Sequence, residues 1–170
     1  MRRVRYQVAC SLDGYIAGPN GEIDWITGAE DFDFGALYAE FDTLLMGRRT
    51  YEQLEGGASG FGKEMRIVVV SRTLRPGEHR GVEVVSEGVG QRVAELKSGE
   101  GKDIWLFGGG ELFRSLLAAR QVDTIEPAII PVVLGGGTPM YPAPGSRAQL
   151  RLSGHRVYGG GVVLLEYAVH

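Results

Sequence analysis

Asp103-Ile104-Trp105-Leu106-Phe107-Gly108-Gly109-Gly110-Glu111-Leu112-Phe113 reads as a strand that enters a helix through three bare glycines. Ile104 to Phe107 is a short apolar run of strand-favouring residue types. Leu112, Phe113, Leu116 and Leu117 then recur at helical spacing, with Arg114 and Arg120 on the opposite face. The first N–H groups of a helix find no partner inside it, and glycine places no side chain over them. A flat ring or a phosphate can therefore lie directly against this backbone. A tight turn that only glycine can make fits the same letters, so one such turn does not separate the two readings.

The surrounding composition narrows the classes. A chain of 170 residues predicts a single domain, residues 1–170, with room for a real core. Its 27 glycines are about twice the usual share of roughly 7% and sit at the ends of apolar runs, as turns do. A net charge of −3 gives no basic face for nucleic acid. Cys10 is the one cysteine, which excludes disulfide frameworks and thiolate metal sites, and His79, His155 and His170 follow no ligand spacing. No metal is expected. The apolar stretch after Arg2, Arg3 and Arg5 is broken by Gln7 and Asp13, too short for a signal peptide or a membrane span. A cytoplasmic protein without membrane or nucleic-acid partners is expected.

Outward from the glycine triplet, strands and helices alternate. Val4 to Cys10 reads as a first strand, followed by a turn at Ser11-Leu12-Asp13-Gly14 and a long loop through Tyr15-Ile16-Ala17 and Gly18 to Trp25. Asp33 to Phe41 reads as a helix, with Phe32, Phe34 and Phe41 as core. Thr43 to Met46 is a strand, Arg48 to Leu54 a helix, and Arg66 to Val70 and Val82 to Val85 are strands. Val89 to Lys97 is a helix. Thr124 to Leu134 is extended, and Gln149 to Tyr158 with Val162 to Val169 suggests a closing hairpin. This order predicts an α/β fold: a mostly parallel sheet, helices on both faces and antiparallel strands at the C-terminal end. Ligands of such sheets bind at the carboxyl ends of the strands.

Two further strand ends carry suitable chemistry. Met46-Gly47-Arg48-Arg49-Thr50 enters a helix through a glycine, with a hydroxyl and two guanidinium groups able to pair with phosphate. Val70-Ser71-Arg72-Thr73 offers a serine and an arginine suited to a nucleotide 2′-phosphate, favouring NADP over NAD. An exposed arginine pair and a surface turn are the plain alternatives. No Gly-x-Gly-x-x-Gly follows the first strand, so an ordinary dinucleotide-binding fold matches poorly.

Four ordered segments carry a resemblance that runs from Val4 to Ala168. They are Ser11-Leu12-Asp13-Gly14-Tyr15-Ile16-Ala17, Leu45-Met46-Gly47-Arg48-Arg49-Thr50-Tyr51-Glu52, Phe107-Gly108-Gly109-Gly110 and Ile130-Pro131-Val132-Val133-Leu134-Gly135-Gly136-Gly137. The chain resembles the dihydrofolate reductase-like superfamily, and within it the C-terminal reductase domain of the riboflavin-biosynthesis deaminase-reductases. The resemblance implies the dihydrofolate reductase-like three-layer fold, NADPH as cofactor, a small-molecule substrate and a homodimer. It implies that Ala9, Ile16 and Ala17 line the nicotinamide pocket. Gly47, Arg48, Arg49 and Thr50 would hold the pyrophosphate, and Ser71 and Arg72 the 2′-phosphate. Gly108, Gly109, Gly110, Glu111 and Leu112 would bring backbone against nicotinamide and pyrophosphate.

Hydride transfer needs the donor and acceptor carbons about 3–3.5 Å apart in a dry cleft, and the cofactor carries the chemistry. Reduction of C=N also needs a proton, from a carboxylic acid or an ordered water. By the resemblance one acid on the first helix fills that place, and Glu30, Asp31 and Asp33 compete for it, one at most. Acids at a helix start also simply complement its dipole. Asp24 and Trp25 are candidates for the substrate side; the indole can stack on a heteroaromatic ring or plug the top of the core. Asp13 beside Gly14 reads as turn chemistry. The expected activity is NADPH-dependent reduction of a small heterocyclic or sugar-linked C=N or C=O substrate, like 5-amino-6-(5-phosphoribosylamino)uracil reductase. Dihydrofolate reduction and a non-catalytic NADP-binding or dimeric scaffold module are the alternatives.

Overall fold

The structure is a computed structural model that describes residues 1–27, 30–54 and 65–170. In chain order it contains β1 (Val4–Ser11), β2 (Tyr15–Ala17), α1 (Phe34–Ala39), β3 (Phe41–Gly47), α2 (Arg48–Gln53), β4 (Arg66–Val70) and β5 (Val82–Val85). Then come α3 (Val89–Ser98), β6 (Asp103–Gly108), α4 (Gly110–Ala118), β7 (Thr124–Ile130), β8 (Thr138–Pro139), β9 (Leu150–Val157) and β10 (Val163–Val169). The main sheet has the order β5-β4-β3-β6-β1-β7-β10-β9, and β2 pairs with β8 in a small ribbon. From β5 to β7 every neighbour is parallel, while β10 runs antiparallel to both β7 and β9.

The alternation of strand side chains builds three layers. Val4, Tyr6, Leu45, Val68, Ile104 and Leu106 face one side and meet Val93 and Leu96 of α3 and Leu112, Phe113 and Leu116 of α4. The Tyr6 and Phe113 rings stack at 3.9 Å, which fixes α4 over the middle of the sheet. Leu44, Met46, Val69 and Trp105 face the other side and meet Leu37 of α1. Among the described residues no helix is long and apolar enough to cross a membrane.

Several local expectations shift. The helix expected over Asp33 to Phe41 stops at Ala39, because Phe41 joins β3 opposite Asp103 and packs its ring 5.1 Å from Trp105. In so short a helix only Leu37 is buried, and Phe34 is left 49% exposed instead of in the core. Tyr15 to Ala17, expected as loop, finds a strand partner in Thr138–Pro139. The extended run expected to reach Leu134 ends at Ile130; Pro131 has no N–H for a ladder, and Val132 N donates back to Ile130 O at 2.7 Å. The terminal hairpin forms, but β10 lies inside the sheet, so the free edge belongs to β9.

Candidate active site

Because β1, β3, β4, β6 and β7 are parallel, their last residues share one edge of the sheet. Gly47 pairs with Val70, Met46 with Gly108, and Ser11 with Ile130. The chain also reverses its order here: after β1 it moves outward through β3, β4 and β5, then returns to set β6 between β3 and β1. Such reversals open the crevice in which α/β sheets hold ligands.

Gly47 starts α2 with no side-chain cap, and the space where its side chain would stand is open, with nothing within 4 Å. From the first turn of α2, Thr50 reaches across to the glycine triplet. A Cβ on Gly108 would lie 3.3 Å from Thr50 Oγ1, and one on Gly109 would lie 3.7 Å from it. Gly109 starts α4, again with no side-chain cap, and its carbonyl accepts from Phe113 N at 3.1 Å. Gly110 is pressed from behind: a Cβ there would stand 2.5 Å from Pro139 O and 3.0 Å from Met140 O. Pro139 pairs with Tyr15, so the ribbon that carries Ile16 and Ala17 leans on the start of α4. Glu111 is exposed and ion-paired to Arg114, whereas the Leu112 side chain is buried in the core.

The β1–β2 turn is pinned to the segment after β7 by Asp13. Its carboxylate accepts from Ser11 Oγ at 2.6 Å, from Leu134 N at 3.1 Å and from Gly135 N at 2.7 Å. The Ser11 hydroxyl and then the backbone donors pull its pKa down to about 2, as hydrogen bonds to a charged form do. Asp13 is therefore a staple holding two of the quoted segments together.

Ser71 is buried, and its hydroxyl accepts from Thr73 N and Leu74 N, shaping a turn that leaves Arg72 exposed. The phenol of Tyr51 meets His79 Nδ1 at 3.4 Å and ties α2 to the segment after β4. Arg48 forms an exposed pair with Glu52 at 2.9 Å, and Arg49 is exposed.

The three acids differ in what they touch. Asp33 caps α1 by accepting from Ala36 N at 2.9 Å, and Asp31 accepts from Gly159 N at 2.8 Å. Glu30 is exposed and has no hydrogen bond among the described residues. Asp24 is exposed. Trp25 is half-buried against Ile130 and Val162, where Ala9, Phe32 and Ala128 also pack, and its Nε1 donates to Glu22 O at 3.0 Å. The indole thus roofs the carboxyl ends of β1 and β7.

Sequence reasoning missed the polar strip on this same face of β1. Arg5 is buried and holds Glu126 in a two-point pair, both contacts 2.8 Å, with the Glu40 carboxylate on its other nitrogen. Gln7, two residues on, is 7% exposed, and its Oε1 has no partner among the described residues. Only the break that Gln7 makes in an apolar run signalled it.

The family model for the RibD C-terminal domain matches residues 2–164. The uncharacterized protein YwjB of Bacillus subtilis (strain 168) is 33% identical over 96% of this chain and 96% of its own. A Shewanella sp. PV-4 protein ascribed to riboflavin biosynthesis superposes with a TM-score of 0.84, at 25% identity over 100% of this chain and 99% of that one. The Thermotoga maritima deaminase/5-amino-6-(5-phosphoribosylamino)uracil reductase gives 0.74 at 16% identity, over 99% of this chain and 57% of its own. Enterococcus faecalis dihydrofolate reductase, solved with NADP(H), gives 0.73 at 19%, over 99% and 96%. The chain belongs to the RibD C-terminal domain family, and its fold is the dihydrofolate reductase-like one that the resemblance implied.

Proposed function

We propose that this protein is an NADPH-dependent reductase of a small pyrimidine-like heterocycle, resembling the reductase of riboflavin biosynthesis and working in the cytoplasm. The observation that carries the reading is the meeting of Thr50 with Gly108 and Gly109, which joins two uncapped helix starts at one strand edge. The residues fit the cofactor: Gly47 opens onto free space and Thr50 stands against Gly108 and Gly109, at two helix starts whose first N–H groups have no partner within the helix. The cofactor supplies the hydride. Gly108, Gly109, Gly110, Glu111 and Leu112 offer main-chain donors to it, and Gly47, Arg48, Arg49 and Thr50 take its pyrophosphate. Arg72, projected by the Ser71 turn, takes the 2′-phosphate. Ala9, Ile16 and Ala17 wall the nicotinamide, while Trp25, with Asp24 beside it, covers the substrate.

Asp33 and Asp31 already hold backbone N–H groups, so Glu30 is the acid left to deliver a proton to the substrate, directly or through a water. The unpaired edge of β9 exposes Leu150, Leu152 and Val157, and a homodimer forms across it. Reading A340 while the protein is incubated with NADPH and the phosphoribosylaminouracil substrate tests the activity. Oxidation that depends on Glu30 is expected. NADPH that leaves the melting temperature unmoved and is never oxidised refutes the reading.

A further inference from the structure

We infer that Tyr51 and His79 are positioning residues for the choice of NADPH over NADH: their contact holds the turn that carries Arg72 at a set distance from α2. The inference rests on the reductase reading above and deepens it, because the pair acts through Arg72.

Consecutive residues of α2 reach to different neighbours. Thr50 stands against Gly108 and Gly109, and the next residue, Tyr51, turns to the segment after β4. Its phenol meets His79 Nδ1 at 3.4 Å, and the two rings stand edge-on, 5.5 Å apart at 89°. Either the phenol donates to an unprotonated Nδ1 or a protonated Nδ1 donates to the phenol oxygen, so both tautomers keep the contact. Both residues are half-buried, and Tyr51 packs against the cluster that contains Leu44, Met46 and Val69.

The segment that projects Arg72 is held at its ends. At its start the buried Ser71 hydroxyl accepts from Thr73 N at 3.1 Å and Leu74 N at 2.9 Å, and Leu74 packs on the same cluster as Tyr51. At its end His79 O accepts from Val82 N at 3.2 Å, where β5 begins. Arg72, Thr73 and the run from Arg75 to Glu78 are exposed. The Arg75–Glu78 ion pair at 3.7 Å is exposed too, and such pairs fix little. The Tyr51–His79 contact joins this segment directly to the helix of Arg48 and Arg49. In NADPH the 2′-phosphate and the pyrophosphate are parts of one covalent frame, so Arg72 grips the first only where its distance from α2 matches that frame. A loop already held in its bound position spends less affinity on ordering. NADH presents a 2′-hydroxyl in place of that phosphate, so it gains little from the same restraint.

Calorimetric titration of wild type, Tyr51→Phe, His79→Leu and His79→Asn with NADPH and with NADH tests this. Tyr51→Phe keeps the ring and removes only the hydroxyl, so the test does not depend on a His79 variant folding. His79→Asn keeps a hydrogen-bonding group near the place of Nδ1. We expect Tyr51→Phe and His79→Leu to bind NADPH about fivefold more weakly, as loss of one hydrogen bond implies, and NADH within about twofold of wild type. His79→Asn should restore the preference for NADPH. An unchanged ratio of the two affinities in both Tyr51→Phe and His79→Leu overturns the assignment, as does a parallel loss of both cofactors, which a merely structural contact would give. His79→Asn as weak for NADPH as His79→Leu also overturns it. A wild-type protein that binds NADPH and NADH alike overturns the inference while the reductase reading stands. Failure of NADPH itself to bind overturns both.

Discussion

Thr50 Oγ1 lies 3.3 Å from the point where a side chain on Gly108 would begin, although the two residues belong to different strand–helix units. The contact is a van der Waals floor between two helix starts. A methyl at Gly108 needs Thr50 to move by a few tenths of an ångström, which a surface-side threonine can do. Gly108→Ala should therefore cost only about 1 kcal/mol in stability and weaken NADPH about tenfold. Gly110→Ala strikes the backbone carbonyls of Pro139 and Met140, which cannot step aside. It should lose up to about 3 kcal/mol by urea unfolding. Equal stability losses in the two variants would contradict this division.

Glu126 is 3% exposed, gripped by Arg5, and also accepts from Thr124 Oγ1 at 2.6 Å. Removing one partner of a buried pair strands the other charge, at about 3–5 kcal/mol. Arg5 keeps Glu40 and has Asp103 at 3.6 Å, so Glu126→Leu should fall at about 3 kcal/mol, the lower end of that range. The double variant Arg5→Met/Glu126→Leu should cost less than Glu126→Leu alone. Urea melts of the two variants measure the difference, and additive losses would argue against a coupled pair.

Asp13 gives the fold an acid limit. Its folded pKa of about 2 lies below the ordinary 3.8, so the carboxylate stabilises the native state above the ordinary value. That contribution is lost as pH falls through the folded value. The melting-temperature gap between wild type and Asp13→Asn should be constant from neutrality to about pH 5 and close between about pH 4 and 2. A gap that persists unchanged at pH 2 would show that the staple works without its charge.

Cys10 is 1% exposed, and burial pushes its thiol up to about 11. The native protein should be inert to Ellman's reagent at pH 8, with one thiol released on unfolding. Rapid labelling of the folded protein would mean that β1 opens at its carboxyl end.

The layers were legible because they depend on local periodicity. Arg66–Val70 and Val82–Val85 form strands with the bounds read from sequence, and Gly108–Gly110 marks the strand-to-helix turn. Tyr15–Ala17 was misjudged because its partner, Thr138–Pro139, is remote in sequence, and a three-residue strand shows no period of its own. Phe34 was placed in the core because six helical residues look like the start of a longer stripe. At the site, the glycines and arginines announced themselves by type. What was hidden was pairing: no spacing says that Asp33 caps, that Asp31 holds Gly159, or that Gln7 ends up with an oxygen no neighbour satisfies.

A crystal structure grown with NADPH tests the central claim most directly. The expected result has the pyrophosphate against the main-chain N–H groups of Gly109 and Gly110 beside Thr50, the 2′-phosphate at Arg72 and the nicotinamide over Ala9. NADPH bound away from the Gly47, Ser71 and Gly108 edge, or crystals that take up none at saturating concentration, would contradict it.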